Sequence, residues 1–104
     1  GPFVTTDAVL LEVGNALSGL QQRAFCFQLL QRVRNDPEFT VVPLTPSLFD
    51  MAVTLFGARQ DKTWGLIDCL SFTVMTQRGI TEALAADRHF LQAGFHPLLL
   101  SSDE

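Results

Sequence analysis

The spacing of hydrophobic residues predicts two amphipathic helices at the start of the chain. Thr5 and Thr6 are candidate N-caps for a helix that runs to about Ser18 and has apolar residues on one face. A second helix is predicted over residues 21–34. Its wide apolar stripe consists of Phe25, Cys26, Leu29, Leu30 and Val33, and Phe27 widens it.

The rest of the chain alternates between strand and helix patterns. Residues 39–44 read as a short strand of β-branched residues, and Thr45 then caps a third helix that opens with Pro46. Residues 65–77 are apolar nearly all round at helical period, which predicts a buried helix. Residues 81–86 and 97–100 have the length and composition of two further strands. This alternation predicts an α/β fold with a mostly parallel sheet.

Composition and charge narrow the class of protein. A chain of 104 residues, 47% hydrophobic and 17% charged, predicts a single domain, which we place over residues 3–101, with Gly1-Pro2 as a tag remnant. Since no apolar run is long enough to span a bilayer, we expect no membrane partner. The net charge of −4 disfavours a broad basic face. Cys26 and Cys69 lack zinc-binding spacing and favour a reducing, cytoplasmic location.

Three acidic residues lie in positions that suggest chemistry. Asp68 lies near the start of the predicted buried helix, where an acid needs a specific reason. Asp87 follows the small apolar run 83–86, so a buried strand would deliver it to the carboxyl edge of the sheet, where open α/β folds bind ligands. Glu12 borders the apolar face of the first helix. Plainer explanations remain open: a solvated Glu12, an Asp68 stabilised by the helix dipole, and an Asp87 that caps the next helix.

Basic and aromatic residues near these acids form a second candidate feature. A local basic cluster for a phosphate backbone would consist of Arg59, Lys62, Arg78 and Arg88, although Lys62 also fits a solvated loop. Trp64 can stack a base, but closing the core is the more usual role of such a residue. We expect His89 to be packed or exposed beside Phe90 rather than catalytic.

Three segments, taken in order, resemble the PIN-domain ribonucleases, in particular the VapC-like toxins of prokaryotic toxin–antitoxin pairs. They are TDAVLLEVGNAL (residues 6–17), DKTWGLIDCLSF (61–72), and AADRHF (85–90) followed by AGF (93–95). Each motif alone is degenerate, but three in order are more specific. The resemblance implies a three-layer, Rossmann-like fold in which Glu12, Asp68 and Asp87 are the catalytic, metal-binding carboxylates.

The resemblance also implies a reaction and its partners. Oxygen ligands favour Mg²⁺ or Mn²⁺, and such an ion assists hydrolysis of RNA phosphodiesters. Asn15, Lys62 and Arg88 are the candidate substrate-binding residues, and an antitoxin protein is the implied protein partner. The competing hypothesis is a non-catalytic PIN-like module that engages an antitoxin peptide through the helices at residues 6–18 and 21–34.

The chain departs from the family pattern in two respects. The family normally opens with a strand that ends in an Asp and with the helices that follow it, and we find none of these. Gly65 and Ile67 also replace the Ser or Thr often found near the third acid. We therefore expect an N-terminally truncated fold with weak or no ribonuclease activity. Unpaired edges on the strands at residues 39–44 and 81–86 also predict either direct pairing of these two strands or a homodimer, including one formed by segment exchange.

Overall fold

Strands and helices alternate along the chain, as the hydrophobic pattern predicted. A computed structural model describes residues 2–83 and 88–97. Residues 1–45 and 46–104 form two units. The first contains β1 (Phe3–Thr6), α1 (Asp7–Ala16), α2 (Arg23–Asn35) and β2 (Phe39–Val42). The second contains α3 (Pro46–Ala58), α4 (Leu66–Arg78), β3 (Glu82–Ala83), α5 (Arg88–Gln92) and β4 (His96–Pro97). The single domain expected over residues 3–101 stays a prediction.

Strand β1 is a finding that the sequence pattern did not predict. It runs parallel to β2, with a register from Phe3 opposite Phe39 to Thr6 opposite Val42. The two phenylalanine rings lie 5.3 Å apart, which adds an aromatic cross-strand pair. Strand β2 therefore has a parallel strand neighbour, β1, on one of its edges.

Helix α1 begins where the sequence placed its cap. The Thr6 hydroxyl accepts a hydrogen bond of 3.1 Å from the backbone N–H of Val9, which satisfies one of the free donors of the first turn. Asp7 follows in that turn, where the helix dipole favours an acid. Its carboxylate also lies 3.6 Å from the Arg34 guanidinium of α2, so the start of α1 is linked to the end of α2.

Helix α2 buries only part of its predicted apolar stripe. Cys26, which is 4% exposed, and the half-buried Leu30 and Val33 follow one another at helical spacing and form the inner face. By contrast, Phe25 is 64% exposed and Phe27 60% exposed, and Leu29 also lies at the surface. The predicted stripe is therefore too wide, since one narrow face of α2 packs inward.

Helices α3 and α4 form the core of the second unit. Pro46 opens α3, as predicted, and Leu48 and Ala52 are buried on it. The expectation of a buried helix at residues 65–77 is confirmed, because six residues of α4 are buried: Cys69, Leu70, Phe72, Thr73, Val74 and Met75. Gly79 ends α4 with a positive φ of 66°, and the N–H of Ile80 returns to the Met75 carbonyl at 2.8 Å.

The second unit also contains a short parallel strand pair. Glu82 of β3 pairs with His96 of β4, and Ala83 pairs with Pro97. The remainder of the predicted strands at 81–86 and 97–100 lies outside the described residues. Both strand pairs within the described residues are parallel, so the predicted α/β class with parallel pairing is confirmed. Among the residues described, no helix is long and apolar enough to span a bilayer.

Candidate functional site

Asp68 is held at the start of α4 by the backbone. Its Oδ2 atom accepts a hydrogen bond of 3.1 Å from the N–H of Gly65, the N-cap residue. An acid three residues into a helix satisfies a free N–H in this way and lies at the positive end of the helix dipole. The plainer explanation for Asp68, a role in starting the helix, is therefore observed. Its side chain is also about a quarter exposed, at 25%.

His89 supplies the second contact of the Asp68 carboxylate. Its Nδ1 atom lies 3.0 Å from Asp68 Oδ2, and its Nε2 atom lies 3.2 Å from the hydroxyl of Thr63. With an ionised Asp68, Nδ1 is the donor in the first contact. The sequence pattern did not predict this contact. No local pattern reveals it, because Asp68 and His89 are 21 positions apart and meet through the contact of α4 with α5.

The two contacts leave one oxygen of Asp68 uncommitted. Both hydrogen bonds end on Oδ2, and none of the groups that the structure describes bonds to Oδ1. A carboxylate that is oriented through one oxygen and free at the other is a suitable ligand for a hard cation. In its chemistry, Asp68 therefore fits the predicted Mg²⁺ or Mn²⁺ site. The described residues contain no group of three His, Cys, Asp or Glu side chains that could hold a metal ion.

The other predicted site residues differ in what the structure shows of them. Glu12 and Asn15 lie one turn apart on α1, and both are exposed. Asp87 and the side chain of Arg88 lie outside the described residues. Glu12 belongs to the first unit and Asp68 to the second. A shared metal site of Glu12, Asp68 and Asp87 therefore stays a prediction.

A pocket of about 410 Å³ lies in front of α4. It is lined by Phe56, Arg59, Gln60, Lys62, Thr63, Trp64 and Cys69. The Arg59 guanidinium donates two hydrogen bonds of 3.0 Å to the two carboxylate oxygens of Asp61. These bonds raise the pKa of Arg59 and lower the pKa of Asp61, so both groups stay charged near neutral pH. The guanidinium carbon also lies 5.0 Å from the centre of the Trp64 ring.

Trp64 closes the core behind this pocket, as expected. It is 5% exposed, and its ring meets the Phe72 ring edge to face at 5.0 Å. Its indole N–H donates to the side-chain carbonyl of Gln92 at 3.0 Å, so the buried donor is satisfied. The Trp64 ring is therefore fixed from two sides.

The cysteine thiols have no part in this chemistry. Cys69 follows Asp68 and is fully buried. Burial raises the pKa of its thiol, and the neighbouring Asp68 charge raises it further. Cys26 is also buried and unpaired. Both pack inside the protein as small hydrophobic residues.

Comparison with known proteins identifies a structural neighbour. The fold matches the crystal structure of VapC20 from Mycobacterium tuberculosis, described as a sarcin-ricin loop cleaving toxin, with a TM-score of 0.82 and 26% sequence identity. The match covers 91% of this chain and 73% of the VapC20 chain. No family model and no curated protein matches the chain. The neighbour confirms the predicted PIN-like α/β fold and the resemblance to VapC-like proteins.

Proposed function

We propose that this VapC-like PIN-domain chain is a metal-dependent endoribonuclease that hydrolyses RNA phosphodiesters. The observation that carries the proposal is the state of Asp68, whose carboxylate is oriented through Oδ2 and open at Oδ1. The fold supports it, because the neighbour VapC20 is described as a toxin that cleaves the sarcin-ricin loop.

The candidate site residues have separate roles in ion binding, in orienting Asp68 and in RNA binding. Asp68, with Glu12 and Asp87, would hold a Mg²⁺ or Mn²⁺ ion, which supplies Lewis acidity at the scissile phosphate when bound. Gly65 and His89 fix the orientation of Asp68. Lys62, Arg88 and Asn15 contact the RNA backbone. With three candidate carboxylates on this 104-residue chain, we expect weak ion binding and slow cleavage.

The variant Asp68→Asn tests the proposal. Its amide oxygen still accepts from the Gly65 N–H, so α4 keeps its cap while the charge for the ion is lost. We expect Mn²⁺ affinity, measured by calorimetry, and cleavage of a single-stranded RNA to fall at least about tenfold. Asp50→Asn is the matched control, since Asp50 is an exposed acid on α3. Unchanged Mn²⁺ binding and cleavage in Asp68→Asn would overturn the proposal.

A second candidate function rests on exposed apolar side chains of α2 and of the residues just before it. Phe25 and Phe27 are 64% and 60% exposed, and Leu20 just before the helix is 96% exposed. Apolar area of this kind favours a protein partner, either an antitoxin peptide or a second copy of the chain, including one that exchanges segments. Light scattering of the wild type and of Phe25→Ser tests the homodimer. A mass of twice 11.5 kDa that falls to 11.5 kDa in the variant supports it, and a monomeric wild type opposes it.

A further inference from the structure

We propose that the pocket in front of α4 binds one unpaired nucleotide of the RNA, with its base stacked on Arg59 and its phosphate held by Lys62. This inference rests on the proposed ribonuclease function and names a substrate subsite for it. The volume of about 410 Å³ falls in the range of typical small-ligand pockets.

The orientation of the Arg59 guanidinium is fixed by contacts within the protein, without a ligand. Two hydrogen bonds to Asp61 fix the guanidinium, and the Trp64 ring supports it from behind at 5.0 Å. The Arg59 side chain remains 39% exposed, so part of the guanidinium is open to the pocket. Unpaired bases stack on guanidinium planes as they do on aromatic rings, and little side-chain entropy is lost when the guanidinium is already fixed.

Trp64 is not the stacking surface in this arrangement. The ring is 5% exposed, its N–H is bonded to Gln92 and its edge faces Phe72. A base could reach the ring only after Arg59 moved away and broke its bonds to Asp61. Stacking on Arg59 requires no such movement, so the tryptophan acts as the support and the arginine as the surface.

The charge of the pocket suits a nucleotide phosphate. Arg59 and Lys62 share one carboxylate, Asp61, whose nearest oxygen lies 3.9 Å from the Lys62 ammonium. Two cations against one anion leave a local positive charge on a chain whose net charge is −4. Such a local charge attracts the RNA backbone where the protein as a whole repels it.

The pocket is linked to the proposed catalytic acid through Thr63. This residue lines the pocket, and its hydroxyl lies 3.2 Å from His89, which in turn contacts Asp68. A nucleotide in the pocket would therefore lie close to the phosphate that the Asp68 site cleaves. We infer that the pocket selects for unpaired RNA, because a base within a duplex is stacked and cannot enter.

The experiment uses Trp64 as the probe, because the chain contains one tryptophan and no tyrosine. A single-stranded RNA hexanucleotide is titrated in the presence of EDTA, which prevents cleavage, while indole emission is recorded. The same titration with an abasic hexanucleotide isolates the contribution of the bases. We expect the base-bearing RNA to change the emission and to bind at least about fivefold more tightly than the abasic one.

Two variants separate the roles of the cations. Arg59→Lys keeps the charge but loses the plane, so affinity for the base-bearing RNA should fall about fivefold while affinity for the abasic RNA is unchanged. Lys62→Gln should weaken the binding of both RNAs equally. It should also reduce the slope of the logarithm of the binding constant against the logarithm of salt concentration by about one. Arg32→Lys, on the exposed surface of α2, is the control and should bind as the wild type does.

The outcomes distinguish this subsite from the proposed function. Equal affinity of Arg59→Lys and the wild type for the base-bearing RNA, or equal affinity of the wild type for both RNAs, overturns the subsite even if Asp68→Asn abolishes cleavage. Conversely, base-dependent binding in EDTA that requires Arg59 upholds the subsite even if Asp68→Asn leaves cleavage unchanged. Circular dichroism of each variant confirms that it is folded.

Discussion

Two amide substitutions of His89 separate its contact with Asp68 from its contact with Thr63. In His89→Asn the amide nitrogen takes the place of Nδ1 and keeps the donor to Asp68. In His89→Gln the amide lies nearer the place of Nε2, so it keeps a partner for Thr63 and loses the one for Asp68. If the Asp68 contact stabilises the fold and orients the carboxylate, the glutamine variant should be affected much more than the asparagine variant.

The magnitude follows from the geometry of the bond. A hydrogen bond to a charged group contributes about 1.5–3 kcal/mol to the free energy of unfolding. The side chains are 27% and 25% exposed, and Asp68 retains its bond to Gly65, so solvent screening reduces the expected loss to about 1 kcal/mol. For a chain of this size, that loss lowers the melting temperature by about 4–8 °C.

Thermal unfolding followed by circular dichroism measures this difference, and Mn²⁺ calorimetry measures its effect on the proposed ion site. His89→Gln should melt about 4–8 °C lower and bind Mn²⁺ about tenfold more weakly, while His89→Asn stays close to the wild type in both. Thr63→Val is the control for the contact between the Thr63 hydroxyl and His89. Because Thr63 is exposed, we expect this variant to change the melting temperature and the Mn²⁺ affinity little. Equal behaviour of the two amide variants would refute the reasoning.

Three further predictions follow from local features. Gly79→Ala should destabilise the fold by about 1–2 kcal/mol because of the positive φ of 66°, whereas Gly57→Ala inside α3 should stabilise it by up to about 1 kcal/mol, both measured by thermal unfolding. The lowered pKa of Asp61 means that its pair with Arg59 stabilises the fold above the ordinary aspartate pKa of 3.8 and is lost as pH falls through the lowered value. Trp64 emission should therefore stay constant from neutral pH down to 3.8 and change only below it, and a change between pH 5 and 6 would contradict this. The raised pKa of Cys69 and its burial should prevent reaction with a thiol reagent at pH 8 until the chain is unfolded, and rapid labelling of the native protein would oppose this.

The features predicted correctly from the sequence are those set by local chemistry. The Thr6 cap and the opening of α3 at Pro46 each depend on a few adjacent residues. The burial of α4 also follows from its own composition, because a helix that is apolar nearly all round is stabilised by burial on all sides.

The features that were missed depend on partners distant in the sequence. Strand β1 has four residues and becomes a strand through its pairing with β2, some 36 positions away (Phe3 opposite Phe39). Periodicity shows that α2 carries a wide apolar stripe but not which of its residues are covered, and Phe25 and Phe27 of that stripe are exposed. The contact of His89 with Asp68 likewise joins two helices whose sequences give no sign of each other.

The cap that Asp68 forms with Gly65 affects how related sequences should be interpreted. A related chain without nuclease activity would still be selected for an acid or an amide at position 68, because this side chain caps α4. Retention of Asp68 in a homologue is therefore weak evidence for catalysis. Retention of Glu12 would be stronger evidence for catalysis. Glu12 is exposed, and no hydrogen bond or ion pair joins its side chain to the described part of the chain, so the fold itself gives no reason to keep it.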